Sequence, residues 1–204
     1  MRVTATSGSA PFLFLTPKSD RGILVLCPVL HDAIRQAALD QAVSRIEYVK
    51  SVTVENRPYA MNRVMLVRSR FSELLDFGPP IRGPSEAALL VAAAKSLGAR
   101  VTWITKDSVL REPRCSNSRL IWAERYRYVP VGARGRILEQ LRTQGSSTIE
   151  RIGPDLKNAV FALACEAALH IDIDCEHIES AQVSVCPRGE KDVELDVMMK
   201  RPLA

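Results

Sequence analysis

Apolar residues in the first half of the chain recur with two different periods. In two segments they lie three and four positions apart, which predicts amphipathic helices, and in four shorter segments they alternate or run together, which predicts strands. The predicted helices span residues 31–43 and 84–97, and the predicted strands span residues 50–55, 62–70, 72–77 and 100–105, the last of them buried. This order of helix, three strands, helix and strand predicts an α/β fold in which helices flank a mixed sheet.

Residues at both ends of the second helix support its bounds. Pro84 and Ser85 stand where a helix begins, since proline is tolerated in the first turn. Gly98 follows the last apolar position, and glycine readily adopts the left-handed conformation that ends many helices. We therefore expect the chain to turn at Gly98 before the last strand.

The second half of the chain changes to short helices followed by short strands. Residues 134–144 predict a first helix, and Ser147 with Glu150 three positions later predicts a capped helical turn. Residues 158–170 predict a third helix, and residues 171–185 predict two short β segments. Three short helices followed by a β-ribbon predict a small winged helix-turn-helix domain.

The third of these helices lacks the residues that read DNA bases. Residues 158–170 contain no lysine or arginine and few other polar side chains. Because base edges are read mainly by arginine, lysine, asparagine and glutamine, we do not expect direct base readout by this helix. We expect the winged helix to dock a partner protein, with any DNA contact coming from arginines on its first two helices.

An arginine-rich segment, residues 111–142, joins the two patterns. It carries eight arginines and three acidic residues, a net charge of +5 that equals the net charge of the whole chain. The arginines are Arg111, Arg114, Arg119, Arg125, Arg127, Arg134, Arg136 and Arg142. Because guanidinium groups bind phosphate well and Trp122, Tyr126 and Tyr128 are interleaved, the segment predicts a DNA-backbone surface. The sequence leaves a second interpretation open, in which these arginines cap helices, stack on rings and pair with acids.

Composition limits the class of protein. With 204 residues, of which 47% are hydrophobic and 25% charged, the chain resembles an ordinary globular protein. No apolar run reaches the roughly 18 residues of a membrane span, and the apolar stretch near the N-terminus is too short for a signal peptide. We therefore expect a cytoplasmic protein without membrane contacts. The five cysteines form no C-x-x-C pair, which argues against a structural zinc site.

Two stretches of the sequence that overlap the arginine-rich segment resemble a known protein family. WITKDSVLREPRCSNSRLIWAERYR at residues 103–127, followed by RILEQLRTQGSSTIERI at residues 136–152, resembles the junction region of TnsA-like endonucleases, the end-cleaving partners in heteromeric transposases. In that family a T-x-x-D-I-R turn and an N-x-R-L helix precede a winged helix. The residues at those places are Thr105, Asp107, Val109, Leu110, Arg111, Asn117, Arg119 and Leu120. The resemblance covers roughly residues 26–185.

The resemblance implies a first domain with the PD-(D/E)xK restriction-endonuclease fold. Such a site needs one helix carboxylate and two strand carboxylates to hold Mg²⁺, and a lysine two residues after the last of them. Here the helix acid falls at His31 or Asp32, the first strand at residues 62–67 has no carboxylate, and Asp76 stands on the second strand. Gly78 stands where the lysine belongs. We therefore expect a domain that keeps the nuclease fold and has lost cleavage.

Other placements would restore a nuclease site. A shift in register would bring in Glu73 or Glu55, and Lys95 on the following helix would supply the positive charge. In this alternative the protein is a Mg²⁺-dependent endonuclease in which Asp32 and Asp76 are metal ligands and catalytic residues. Outside this alternative we expect no cofactor and no metal site.

These patterns predict four parts: a degenerate nuclease-like domain at residues 22–106, an arginine-rich connector at 107–133, a winged helix at 134–186, and a C-terminal tail or strand at 187–204. The leading hypothesis is a protein that binds the backbone of double-stranded DNA through the eight arginines. It would also dock a transposase or regulatory protein in a DNA-handling complex. The alternatives are the active endonuclease of a transposition system and an adaptor that binds only proteins.

Overall fold

The computed structural model describes residues 12–25, 27–77 and 83–186. They belong to two compact units, one made of residues up to 34 together with 43–109, and the other of residues 35–42 together with those from 110 onward. Gly78 and the predicted tail at residues 187–204 lie outside the described residues. No helix in the described ranges is long and apolar enough to cross a membrane.

The first unit is built on a four-stranded mixed sheet. Its elements in chain order are β1 (Phe12–Phe14), β2 (Ile23–Val25), α1 (Pro28–Leu39), β3 (Val43–Val54), β4 (Arg57–Arg68), β5 (Ser72–Asp76), α2 (Pro84–Ser96), β6 (Ala99–Trp103) and α3 (Lys106–Val109). The main sheet has the order β3-β4-β5-β6, with β6 parallel to β5 and the other neighbours antiparallel. β1 and β2 form a separate antiparallel pair. The predicted α/β fold, a mixed sheet flanked by helices, is confirmed.

Helix α2 covers one face of this sheet. Its buried residues and the strand residues beneath them form one apolar cluster, which contains Val54, Met61, Met65, Leu74, Leu90, Ala93 and Ala94. The helix ends at Ser96, and Gly98 has a φ of +64°, the left-handed conformation expected there. Since side chains alternate along a strand, Asp76 lies on the same face of the sheet as Leu74, and Glu73 lies on the opposite face.

The structure differs from the sequence-based prediction at four places in this unit. Strand β4 begins at Arg57, five residues before the predicted strand. Helix α1 begins earlier than predicted, at Pro28, and its residues from Arg35 onward are grouped with the second unit. β3 begins at Val43, at the end of the predicted helix, and is longer than the predicted strand. The prediction that the last strand is buried is wrong, because β6 lies at the edge of the described sheet with Trp103 52% exposed. The spacing of apolar residues does not encode which strand lies at an edge.

The second unit combines short helices with a three-stranded antiparallel sheet. Its elements are α4 (Arg114–Trp122), α5 (Val131–Gln144), β7 (Ser147–Thr148), α6 (Ile149–Ile152), α7 (Lys157–Cys165), β8 (Leu169–Ile171) and β9 (Gln182–Val185). The strand order is β7-β9-β8. Helix α7 packs against α4, α5 and α6, and its residues 160–165 are all buried. The predicted connector therefore contains a helix, α4, that contributes Cys115, Ile121 and Trp122 to this core.

Two predictions in this unit are wrong in detail. The capping box at Ser147 and Glu150 does not form, because Thr148 is the N-cap of α6 and its Oγ1 accepts a hydrogen bond from the Arg151 amide. The third helix begins at Lys157 and ends at Cys165 instead of continuing to residue 170. Its predicted last turn is replaced by strand β8, which pairs with β9. Strand pairing therefore overrides the helical pattern of the sequence.

Candidate functional site

Asp76, the acid that the resemblance places on a nuclease strand, is paired with an arginine. It is the last residue of β5 and is 1% exposed. Arg63 of the neighbouring strand β4 donates from Nε to Asp76 Oδ1 at 3.0 Å. The same guanidinium donates from Nη1 to the Met61 carbonyl at 3.1 Å. The charge of the buried carboxylate is therefore balanced from within the sheet.

Glu73, the acid of the alternative register, is held by two arginines on the opposite face. Arg68 Nε donates to Oε2 at 2.7 Å, Arg100 Nη2 donates to Oε1 at 2.8 Å, and the Thr102 hydroxyl lies 3.3 Å from Oε1. Burial alone raises the pKa of Glu73, but the hydrogen bonds from Arg100 and Arg68 together outweigh it and leave the pKa below its usual value. The carboxylate is therefore kept ionised, with both oxygens occupied by protein donors.

The other residues considered for a nuclease site lie on different elements. Asp32 is buried in α1, and the His31 ring packs edge-on against Phe14 with 5.5 Å between ring centroids. Glu55 lies in the turn between β3 and β4, and Lys95 is exposed near the end of α2. Across the part of the chain that the structure describes, no three His, Cys, Asp or Glu side chains are grouped so that they could hold a metal ion.

Arg114, Arg127 and Arg134 of the arginine-rich segment form ion pairs with acids of the second unit. Arg114 Nη1 lies 2.5 Å from Asp174 Oδ2, and its Nε donates to Gln36. Arg127 pairs with Glu124, and Arg134 pairs with Glu166. The second interpretation of the sequence, in which arginines cap helices, stack on rings and pair with acids, therefore applies to these three side chains through pairing. They are partly exposed, so each pair contributes little to stability.

The other five arginines of the segment have exposed side chains. One precedes α4, one lies on α4, one lies between α4 and α5, and two lie on α5. They are Arg111, Arg119, Arg125, Arg136 and Arg142. Arg125 donates from Nη1 to the Trp122 carbonyl at 3.1 Å, and its guanidinium carbon lies 4.4 Å from the centre of the Tyr126 ring. These are the capping and stacking contacts of the second interpretation of the sequence. All five belong to the second unit, so one compact body carries this positive charge.

Sequence reasoning missed the three arginines that neutralise the β5 carboxylates. One signal was present for Arg63. β4 and β5 are joined by a short turn, and Val67 pairs with Ser72 next to it. Counting outward along both strands from that pair places Arg63 opposite Asp76. No comparable signal exists for Arg100. It meets Glu73 across the parallel pair of β5 and β6, whose register depends on the intervening helix.

Comparison with known proteins gives no independent assignment. No family model matches the sequence, and a search of the curated proteins finds no match. The functional argument therefore depends on the residues and contacts of this chain.

Replacing Glu73 with glutamine should lower stability in a pH-dependent way. Because the pKa of Glu73 is lowered in the folded state, its stabilisation is complete above its unfolded value of 4.5 and is lost as the pH falls through the folded value. We expect Glu73→Gln to reduce the free energy of unfolding by about 1 kcal/mol at neutral pH, and by less in acid. Urea denaturation over a pH series measures this difference. Glu139→Gln, at an exposed position on α5, is the control for net charge, and an equal loss in both variants would contradict the prediction.

Removing Arg63 should destabilise the protein because it takes the guanidinium away from a buried carboxylate. Since Arg63 is itself partly exposed, we expect Arg63→Met to cost about 2 kcal/mol, less than for a fully buried pair. Asp76→Asn in the same background should recover part of this loss. Urea denaturation of the two single variants and the double variant measures the coupling. Effects that add within about 0.5 kcal/mol would show that the pair is not coupled.

Proposed function

We propose that the protein associates with double-stranded DNA through its exposed arginines, keeps a nuclease-like fold that no longer cleaves, and docks a protein partner through a winged-helix domain. The observation that carries the proposal is the distribution of arginine. In the first unit three arginines neutralise both carboxylates of β5, and in the second unit one segment carries five arginines with exposed side chains.

The order of elements in the first unit supports a nuclease-like origin. The run α1, β3, β4, β5, α2, β6 is the helix, three strands, helix and strand expected from the sequence. The last strand is parallel to its neighbour, as a helical crossover requires. Fold alone does not establish an activity, so the argument about cleavage depends on the carboxylates.

Neither β5 carboxylate is placed to hold a catalytic metal. Mg²⁺ takes oxygen ligands at about 2.0–2.1 Å in near-octahedral geometry and would need carboxylate oxygens directed at one point. Asp76 is engaged by Arg63, and Glu73, on the opposite face of the sheet, is engaged by Arg68 and Arg100. At Glu73 a metal ion would have to displace a guanidinium, and at Asp76 it would be repelled by the Arg63 guanidinium that binds Oδ1. These contacts support the loss of cleavage.

The second unit supports a winged helix that contacts DNA without reading bases through its third helix. The order α5, β7, α6, α7, β8, β9, with β9 between the other two strands, is the arrangement expected of such a domain. Helix α7 is mainly core, and its one basic residue, Lys157, pairs with Glu179. DNA contact would therefore come from the exposed arginines around α4 and α5, which suit phosphate oxygens.

Loss of exposed arginines should weaken DNA binding. We expect the triple variant Arg111→Ala, Arg125→Ala, Arg136→Ala to bind a blunt duplex at least about tenfold more weakly at low salt, because each arginine that contacts a phosphate releases counterions. Fluorescence anisotropy of a labelled duplex measures the affinity. The matched control removes the same charge from exposed positions of the first unit, Arg45→Ala, Arg57→Ala, Arg70→Ala. Equal weakening in both triple variants would show a non-specific charge effect, and unchanged binding in the first would contradict DNA contact through these arginines. Unchanged binding together with loss of partner capture would favour the protein-only adaptor.

The wild-type protein should not cleave DNA. With Mg²⁺ or Mn²⁺ and supercoiled plasmid, we expect no nicking above the level of an Asp76→Ala preparation purified in parallel, because the β5 carboxylates are already paired. Gel analysis of relaxed and linear plasmid measures cleavage. Metal-dependent nicking by the wild type that disappears in Asp32→Ala and Asp76→Ala would establish the active-endonuclease alternative.

A further inference from the structure

The two-tyrosine loop, residues 123–130, joins α4 to α5 and exposes two aromatic rings. Tyr126 is 77% exposed and Tyr128 is 79% exposed. Tyrosine is ordinarily at least partly covered in a folded protein, because its ring is apolar. These two rings, separated by one residue, lie outside the core, and the Arg125 guanidinium stacks on one of them, Tyr126. They form an aromatic surface directed at solvent.

The loop is anchored at both ends. Trp122, which precedes it, and Val129, near its end, are buried at 4% and 8% exposed. Within the loop the Arg125 amide donates to the Trp122 carbonyl, and the Arg127 amide donates to the Glu124 carbonyl at 2.9 Å. The backbone that carries the rings is therefore fixed by buried anchors and turn hydrogen bonds. Little conformational entropy would be lost if a ligand bound there.

Arginine alternates with tyrosine in this loop, in the order Arg125, Tyr126, Arg127, Tyr128. The Arg125 guanidinium stacks on the Tyr126 ring, and Arg127 is held by Glu124. Helix α5 follows with Arg134 and Arg136. A ligand that matches this pattern has planar faces to stack on the rings and regular negative charges to meet the guanidinium groups. A nucleic acid strand has both.

Stacking on a tyrosine requires a base whose face is open. In a duplex each base face is covered by its neighbours, and unstacking one step costs a few kcal/mol. In a single strand the faces are accessible, and proteins that bind such strands combine aromatic platforms with positively charged grooves. The exposed rings of the two-tyrosine loop therefore fit unpaired nucleotides better than duplex.

We infer that the two-tyrosine loop binds unpaired nucleotides of DNA, with the rings of Tyr126 and Tyr128 stacked on bases and the neighbouring arginines on phosphates. This inference rests on the proposed DNA association and specifies its substrate as duplex DNA with a single-stranded segment, such as an overhang or a flap.

The test compares a labelled blunt duplex with the same duplex carrying a 3′ overhang of about eight nucleotides, within the site sizes of single-strand binders. By anisotropy we expect the wild type to bind the overhang duplex about tenfold more tightly than the blunt one. The double variant Tyr126→Ala, Tyr128→Ala should lose this preference, so that its affinities for the two duplexes become equal. Tyr126→Phe, Tyr128→Phe should keep it, because stacking needs the ring and not the hydroxyl.

The outcomes separate this inference from the proposed function. Binding of both duplexes with equal affinity by the wild type, or an unchanged preference in the alanine variant, would overturn the inference, leave DNA association intact and assign the rings to a protein partner. Absence of binding to either duplex would overturn the proposed function as well.

Photocrosslinking with 5-iodouracil in the overhang gives an independent readout. We expect the crosslinked peptide to contain Tyr126 or Tyr128, and a crosslink confined to other peptides would contradict stacking.

Discussion

The guanidinium group of arginine is positively charged and needs an anion as its partner, and this requirement applies in both units of the protein. Arginine does not lose its proton at physiological pH, so a buried or half-buried guanidinium must be met by a carboxylate or by carbonyl groups. In the first unit that anion is supplied by the chain itself, at Asp76 and Glu73. In the second unit acids pair with Arg114, Arg127 and Arg134. The segment also carries five arginines with exposed side chains, Arg111, Arg119, Arg125, Arg136 and Arg142.

In the first unit the ion pairs between arginines and carboxylates depend on the register of the strands. Arg63 reaches Asp76 because antiparallel register sets β4 against β5, and Arg100 reaches Glu73 because β6 runs parallel on the other side. Each pair therefore joins neighbouring strands in addition to the backbone hydrogen bonds. Arg100 and Arg68 keep the Glu73 carboxylate ionised, and Arg63 engages Asp76, so both carboxylates are poor metal ligands. The features that would stabilise the sheet are the same ones that would remove the nuclease chemistry implied by the family resemblance.

Local signals predicted the parts of the fold that depend on neighbouring residues. The second helix and Gly98 were placed correctly because proline and glycine act within one turn, and the paired strands β4 and β5 followed from their apolar runs. The end of α7 was not predictable, since Leu169 leaves the helical pattern only because β9 pairs with it. The salt bridge from Glu73 to Arg100 was missed for the same reason, because it joins residues far apart in the sequence. The exposure of Tyr126 and Tyr128 also follows from the way α4 and α5 pack, and not from the residues themselves.

The most direct test of the central claim, that exposed arginines meet phosphate, is the salt dependence of wild-type binding to a blunt duplex. Affinity is measured by anisotropy from about 50 to 200 mM salt, and the slope of log K against log salt reports the number of neutralised phosphates, at about −0.9 per contact for duplex DNA. If most of the five exposed arginines contact the backbone, we expect a slope of about −3 to −5. Absence of binding at the lowest salt, or a slope near zero, would contradict the claim and direct attention to a protein partner for the arginine-rich segment.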